Sequence, residues 1–336
     1  MSALAAVMVV ATACSSGGSD SGSGAQAGTA ASGSNAKTTA DLTVAVPALG
    51  IDYNWDLLAA KELGYFSDNG INVTLKNFAG PPETIAALAS GSAQFAGGVA
   101  SDQTIIAHNK GTHIAIVAGE DAALDEVMVK PSITSWAEAK GKTFGSAAPT
   151  SGSTLLLQRA LESQNLKLTD VKLRPFGSTA TRAAALFAGQ VDGASLAQPF
   201  DFEAKAKGFK SLATIHDILG DYPFTVHVVN TDYASAHPDV VVNYLRAVVK
   251  AQAWLADSAN RTQAAQILSK YSQATLALSE QTWDYVYQTT HGAVQNGSIS
   301  DSDLQPVLQS AKNESGDNSI QLGNVVDTSY LTKATS

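Results

Sequence analysis

Charge is scarce in this chain of 336 residues: Asp, Glu, Lys and Arg make up 15% of it, against roughly 25% in average soluble proteins. Lys and Arg number 21 and Asp and Glu 30, a formal net charge of −9, and no basic run occurs. A polyanion finds no electrostatic footprint here, so nucleic acid is excluded as a partner. Cysteine is scarcer still. The one copy, Cys14, rules out an internal disulfide framework, a cysteine-rich zinc site and a catalytic thiol in the body that follows it. The six histidines are scattered. His108 and His113 stand five apart, a poor spacing for two ligands on one helical face, and no HExxH, GxSxG, Walker A or GxGxxG pattern is present. Neither a metal nor a cofactor is expected. Asp125 and Glu126 are adjacent, point apart on a strand or helix, and read as a solvated pair. Apolar residues, by contrast, are plentiful at 45%, enough to fill the cores of two ordinary α/β domains.

The first residues form a different kind of text. Ala3 to Val10 is a short apolar run, too short for the ~20 residues of a bilayer crossing. It ends in Ala11-Thr12-Ala13-Cys14, small residues before a cysteine, and so reads as a signal peptide over 1–13. The arrangement resembles the lipobox of bacterial lipoproteins, which implies a lipid on Cys14. It departs from that pattern at Ala11, and no Lys or Arg precedes Lys37, so a start upstream of Met1 is expected. From Ser15 to Ala36, 19 of 22 residues are Gly, Ser, Ala or Thr. Such a stretch buries too little apolar surface to offset its ordering entropy, and residues 14–40 are expected to be a lipidated, flexible leash.

From Asp41 the pattern changes to strand–helix–strand–helix. LTVAVPAL, NWDLLAAKELGYF, INVTLKNF and PPETIAALASG alternate in that order, and KTFGSAA, STLLLQRALESQ, DVKLRPF and TRAAALFAGQ repeat it. AALASGSAQFA from Ala86 aligns with AALFAGQVDGA from Ala184, which favours two related α/β lobes built on parallel sheets. After His237 the chain reads as helical, with Val241, Leu245, Val248 and Leu255 on one stripe and Trp254 and Trp283 as core fillers. A second helix capped by Ser279 carries Trp283, Val286 and Tyr287. Val127–Pro131 and Phe224–Asn230 are the expected crossings between lobes. They divide the body into 41–130 plus 224–336, the first lobe, and 131–223, the second, hinged around a cleft.

Ligands of open α/β sheets gather beyond the carboxyl ends of the strands, so the loops there are the candidate site. They are rich in Gly, Ser, Thr and aromatic residues and poor in titratable ones, a composition suited to holding a small ligand. In the first lobe the candidates are Asp52, Tyr53, Asn54 and Trp55, then Gly80 and Ser101. One of Tyr53 and Trp55 is expected in the cleft. Asp52 could receive an amine or cap the helix it precedes. In the second lobe they are Thr150, Ser151, Gly152 and Ser153, then Gln198, Phe200 and Asp201. The free N–H groups at the start of the helix after Ser153 could hold anionic oxygens, or Ser153 could simply cap it. Arg182, beside the loop from Gly177, is either an anion clamp or a solvated surface arginine.

AAKELGYFSDNGINVTL, AALASGSAQFAGG, WAEAKGKTFGS, AALFAGQVDGASLAQP and AKGFKSLA, in that order between Leu42 and Ala213, resemble the substrate-binding proteins of ABC importers of the nitrate/sulfonate/taurine type. The resemblance implies a two-lobed periplasmic-binding-protein-like fold that closes over a small organic anion and delivers it to a membrane permease. It also implies ligand contacts within Tyr53–Trp55, Thr150–Ser153 and Gln198–Asp201. A monomer, lipid-anchored at the extracytoplasmic face of the cell membrane, is the expected state. A pyrimidine thiamine precursor or an aromatic acid is the alternative solute. Enzymes of the same fold class use cysteines, and the body has none.

Overall fold

Two five-stranded sheets organise the chain in the computed structural model, which describes residues 40–78, 80–149 and 151–336. The leader, Cys14, the Gly/Ser/Ala stretch and the candidate Thr150 lie outside the described residues. The first sheet has the order β2-β1-β3-β10-β4, formed by Ile71–Asn77, Ala40–Val46, Phe95–Ala100, Pro223–Asn230 and Ile114–Ala122. The second has the order β7-β6-β8-β5-β9, formed by Lys172–Pro175, Thr143–Ser146, Gly193–Leu196, Glu126–Val129 and Lys210–Thr214. The architecture is α/β, as the alternation predicts.

The sheets are mixed rather than wholly parallel. β1 pairs in parallel with β2 and β3, and β6 with β7 and β8, but β10 runs antiparallel to β3 and β4 and β5 antiparallel to β8 and β9. These antiparallel strands are the two passages expected to be bare crossings. The segment Glu126–Val129 already belongs to the second sheet, so that sheet starts before residue 131. The chain crosses instead at Ala123–Asp125 and in the stretch from Ile215 to Tyr222. Ala123 N–H donates to Tyr222 O at 3.1 Å, and Ile215 N–H to Asp125 O at 2.9 Å, so the two crossings are tied to each other.

Local rules explain the elements. The helix Trp55–Glu62 ends against Gly64, whose φ of 77° is left-handed backbone that glycine adopts without a Cβ clash. The helix Pro81–Ala89 starts on two prolines, whose missing N–H groups cost nothing in a first turn. In the helix Pro238–Ala256, Val241, Leu245, Val248 and Leu255 are fully buried, each contributing ~1.5–3 kcal/mol of apolar burial. Trp283 is buried and donates its indole N–H to Leu255 O at 2.8 Å; Trp254 is only half-buried. The helix carrying Trp283, Leu276–Trp283, is capped by Thr275 rather than Ser279 and passes into a π-helical turn, Asp284–Thr289. Among the described residues no helix is long and apolar enough to cross a membrane.

Candidate functional site

The carboxyl ends of the parallel strands of both sheets face one cleft. From the first lobe come Pro47, Ile51 and Tyr53 after β1, Gly98 and Ala100 of β3, and Phe224 of β10. From the second come Ala147 after β6, Ser153 at the start of the helix Gly152–Glu162, and Ser178, Thr179 and Arg182 around the start of the helix Thr179–Phe187. The lobes stand close. The cavity between them is about 50 Å³, room for a few water-sized groups.

Two aromatic rings form its apolar wall. Tyr53 and Phe224 meet edge to face with centroids 5.2 Å apart. The Tyr53 hydroxyl donates to Asp125 Oδ1, and Ser195 Oγ donates to Asp125 Oδ2 at 2.7 Å. Burial keeps the Tyr53 hydroxyl protonated well above the ordinary tyrosine range, and the Asp125 carboxylate beside it adds to that. Burial likewise lifts Asp125, although Tyr53, Arg182 and Ser195 pull it back.

Opposite stands a buried cation. Arg182, 3% exposed, donates from Nε to Ser195 O at 3.1 Å, from Nη1 to Gly177 O at 2.7 Å, and from Nη2 to Thr179 Oγ1 at 3.0 Å. All three acceptors are neutral, so these bonds orient the guanidinium without cancelling its charge. Burial lowers its pKa, with Asp125 opposing, yet a guanidinium remains protonated in proteins. The surface-arginine reading is therefore wrong for Arg182. The N-termini of two helices of lobe 2, carrying Ser153 and Thr179, open onto the same cavity. Ser178 caps the second of them, accepting from Thr181 N–H at 3.3 Å.

Ser153 does not cap its helix. Ser151 occupies the N-cap position without a side-chain cap; its Oγ donates to Ala148 O at 3.0 Å and lies 3.2 Å from Ser153 Oγ. Gly152 brings the lobes together: a Cβ there would stand 2.7 Å from Ala100 Cβ and 2.9 Å from Phe224 Cε2. Of the sequence candidates among the described residues, Tyr53, Ser153 and Arg182 line the cavity directly.

The remaining candidates are held in structural roles. Trp55 is 2% exposed, turned into the first lobe, with its indole N–H donating to Ala264 O at 3.1 Å and its ring edge-on to Tyr287. Asn54 donates to Ala48 O and braces the loop. Gly80 precedes Pro81 at the rim, where its Cβ would lie 4.0 Å from Gly177 Cα of the other lobe. Ser101 Oγ donates to Pro223 O at 2.6 Å, tying β3 to β10. Gln198 donates from Nε2 to Leu124 O at 2.9 Å and to Asp201 Oδ2 at 3.1 Å, and its own carbonyl receives Asp52 N–H at 3.3 Å. Phe200 packs in the core.

Asp52 neither caps a helix nor reaches the cavity. Both of its carboxyl oxygens are buried without a hydrogen-bond partner. Burial first, then Asp125 and Asp201, push its pKa well above the usual range; burial and then Glu126 do the same to Asp201. The solvated reading of Asp125-Glu126 also fails. Asp125 and Glu126 are 1% and 2% exposed, and each has its own partner, Tyr53 with Ser195 for the first and Lys205 for the second. Sequence reasoning missed Phe224, and it placed the loop from Gly177 at the cleft without singling out Ser178 and Thr179. A Gly-Ser-Thr run three residues before an arginine, at a strand end, was the available signal.

Among curated relatives, a putative binding protein of Brucella abortus is 25% identical over 215 residues, covering 63% of this chain and 66% of that one. The bicarbonate transport ATP-binding protein CmpC of Synechocystis sp. is 32% identical over 129 residues, 38% of this chain and 19% of its own length. The chain thus spans about two thirds or less of the relatives it matches. The periplasmic nitrate-binding protein NrtA of Synechocystis PCC 6803 has a similar structure, with a TM-score of 0.74 at 15% identity, over 89% of this chain and 88% of that one. For the alkanesulfonate-binding protein SsuA of Xanthomonas axonopodis pv. citri the TM-score is 0.71 at 19% identity, over 86% and 98%. The desulfurization enzyme DszB shares the fold too, with a TM-score of 0.64 at 16% identity, over 88% and 99%. Residues 36–269 match the model of the NMT1-like family, and the chain belongs to that family.

Proposed function

We infer that this chain is the solute-binding component of an ABC importer, that it closes its lobes over a small organic anion, and that it presents the solute to a membrane permease. The observation that carries the reading is Arg182, a buried guanidinium at the cleft whose hydrogen bonds all go to neutral oxygens. Burial pushes the nearby Asp52 and Asp125 toward their neutral forms, while Arg182 cannot follow. Arg182 therefore keeps its charge at a cavity where Asp125 is the facing acid. Ser153, Ser178 and Thr179 add hydroxyls and helix N-termini, which favour oxyanions. A cavity of about 50 Å³ suits nitrate or a short aliphatic sulfonate as the lobes stand.

Binding without turnover is the proposed activity, because the body carries no cysteine nucleophile. A second reading, an aromatic acid or a pyrimidine, is favoured by the Tyr53–Phe224 wall and needs a wider cleft. Lipid attachment through Cys14, an extracytoplasmic location and a monomeric state complete the proposal. A thermal-shift screen over nitrate, sulfonates, taurine, aromatic acids and pyrimidines tests it, since a ligand at 100 times its Kd stabilises by about 2.7 kcal/mol. An anion should shift the wild type, and Arg182→Met should abolish that shift. A shift by no compound would overturn the importer reading; a shift by a neutral pyrimidine that survives Arg182→Met would select the second.

A further inference from the structure

Under the floor of the cleft, in the first lobe, three side chains from three elements converge. Asp56 lies in the helix Trp55–Glu62, Glu120 in β4 and His227 in β10. His227 Nε2 is 2.9 Å from Asp56 Oδ2 and 3.7 Å from Glu120 Oε1. One ligand-capable atom from each residue lies within 4.8 Å of the other two, and the side chains are at most 5% exposed.

The outward-facing atoms are all anchored. Leu57 N–H donates to Asp56 Oδ1 at 2.6 Å, and Gly98 N–H to Glu120 Oε2 at 2.5 Å. His227 Nδ1 is 3.1 Å from the Tyr244 hydroxyl, which fixes the ring and leaves Nε2 facing inward. Asp56 Oδ2 also accepts from Gln252 Nε2 at 2.9 Å. Glu120 Oε1 is different: it is buried, and it receives no hydrogen bond from any donor outside the group, its neighbour being the Asp56 carboxyl. Two carboxyl groups thus share a dry space, with histidine as their only ion-pair partner among the described residues. Backbone closes the rim. A Cβ on Gly97 would lie 3.4 Å from both Glu120 Oε1 and His227 Nδ1, and 2.5 Å from Leu57 Cδ1.

We propose that Asp56, Glu120 and His227 form a buried site for a first-row divalent metal ion that clamps the first helix onto β4 and β10. One imidazole nitrogen and two carboxylate oxygens suit zinc, cobalt or manganese. A divalent charge would balance two carboxylates that, among the described residues, face only His227. Ligands whose remaining polar atoms are held by outer partners are the arrangement that orients metal-binding side chains. The role is structural, because Gly97 and Gly98 separate the group from the cavity, and the ion must enter as the chain folds.

The full chain is refolded with one probe at a time, Zn2+ or Co2+, desalted and assayed for metal by mass spectrometry. Crystals of the Co2+-loaded protein are then measured at the cobalt edge. One equivalent per chain and an anomalous peak among the three side chains are expected. Glu120→Gln should weaken metal binding by at least tenfold while the circular dichroism spectrum is retained. Less than a tenth of an equivalent in the wild type would overturn the proposal and leave a proton shared between the carboxyls as the reading. So would a peak confined to the exposed His113–Asp232 or His216–Asp221 pairs, or unchanged binding by Glu120→Gln. If that variant does not fold, the anomalous map of the unmodified protein decides.

Discussion

Tyr53 and Trp55 are two residues apart and chemically alike, yet the chain sends them in opposite directions. The 3-10 turn Asp52–Asn54 leaves Tyr53 at the cavity and turns Trp55 under the helix it begins. Sequence could say that one of the pair faces the cleft; which one depends on the acceptor at Ala264, more than 200 positions away. The consequence is measurable. Trp55→Phe should lose a buried hydrogen bond and about 1 kcal/mol of stability in urea unfolding. It should leave solute affinity within about twofold, as a core residue would. A large loss of affinity at unchanged stability would return Trp55 to the cleft. Buried acids show the same limit of local reading. Asp125-Glu126 looks like a surface pair because nothing nearby in sequence announces Ser195 or Lys205, the partners that folding supplies.

Helices and parallel strands were legible because their periodicities are local. Ile71–Asn77, Thr143–Ser146 and the buried stripe of Pro238–Ala256 follow directly from spacing. The antiparallel β5 and β10 were not, since only their place between distant strands distinguishes them from linkers. The helix Gln305–Ser315 falls in the stretch read as helical, but where it packs was silent. It packs on the helix Ser101–Asn109, where Glu314 meets Asp102 and Gln103 Nε2 donates to Glu314 Oε1 at 3.4 Å. Burial, then the Asp102 carboxyl, push Glu314 up to about 8 from an ordinary 4.5. A carboxyl raised in the folded state binds protons that the unfolded chain has released, so stability falls as pH rises from about 4.5 to about 8. The melting temperature should therefore drop between pH 5 and 8, and Glu314→Gln should flatten that slope. A slope unchanged in the variant would assign the pH dependence to other groups.

At the scale of the whole molecule, the lobes meet where Gly152 packs against Ala100 and Phe224. Gly152→Ala places a methyl group inside that contact, in a helix where alanine is otherwise favoured by about 1 kcal/mol. The free protein should keep its melting temperature, bind solute at least tenfold more weakly, and show a larger radius of gyration by small-angle scattering when solute is added. Equal compaction of both proteins would mean that closure does not pass through this contact. The overall two-part plan was visible in the repeated strand–helix order, whereas the distance between the parts was not, because it is set by contacts such as this one. The interleaved strand order carries a further consequence, for the order in which the protein can be completed. Every strand of the second sheet comes from the unbroken stretch 126–214, so that lobe can pair its strands as soon as this stretch is available. The first sheet must wait, with β3 and β4 lacking the partner between them until residue 230 arrives. A chain emerging from its N-terminus therefore finishes its second lobe before its first, and carries an unfilled gap in the older sheet while it does so.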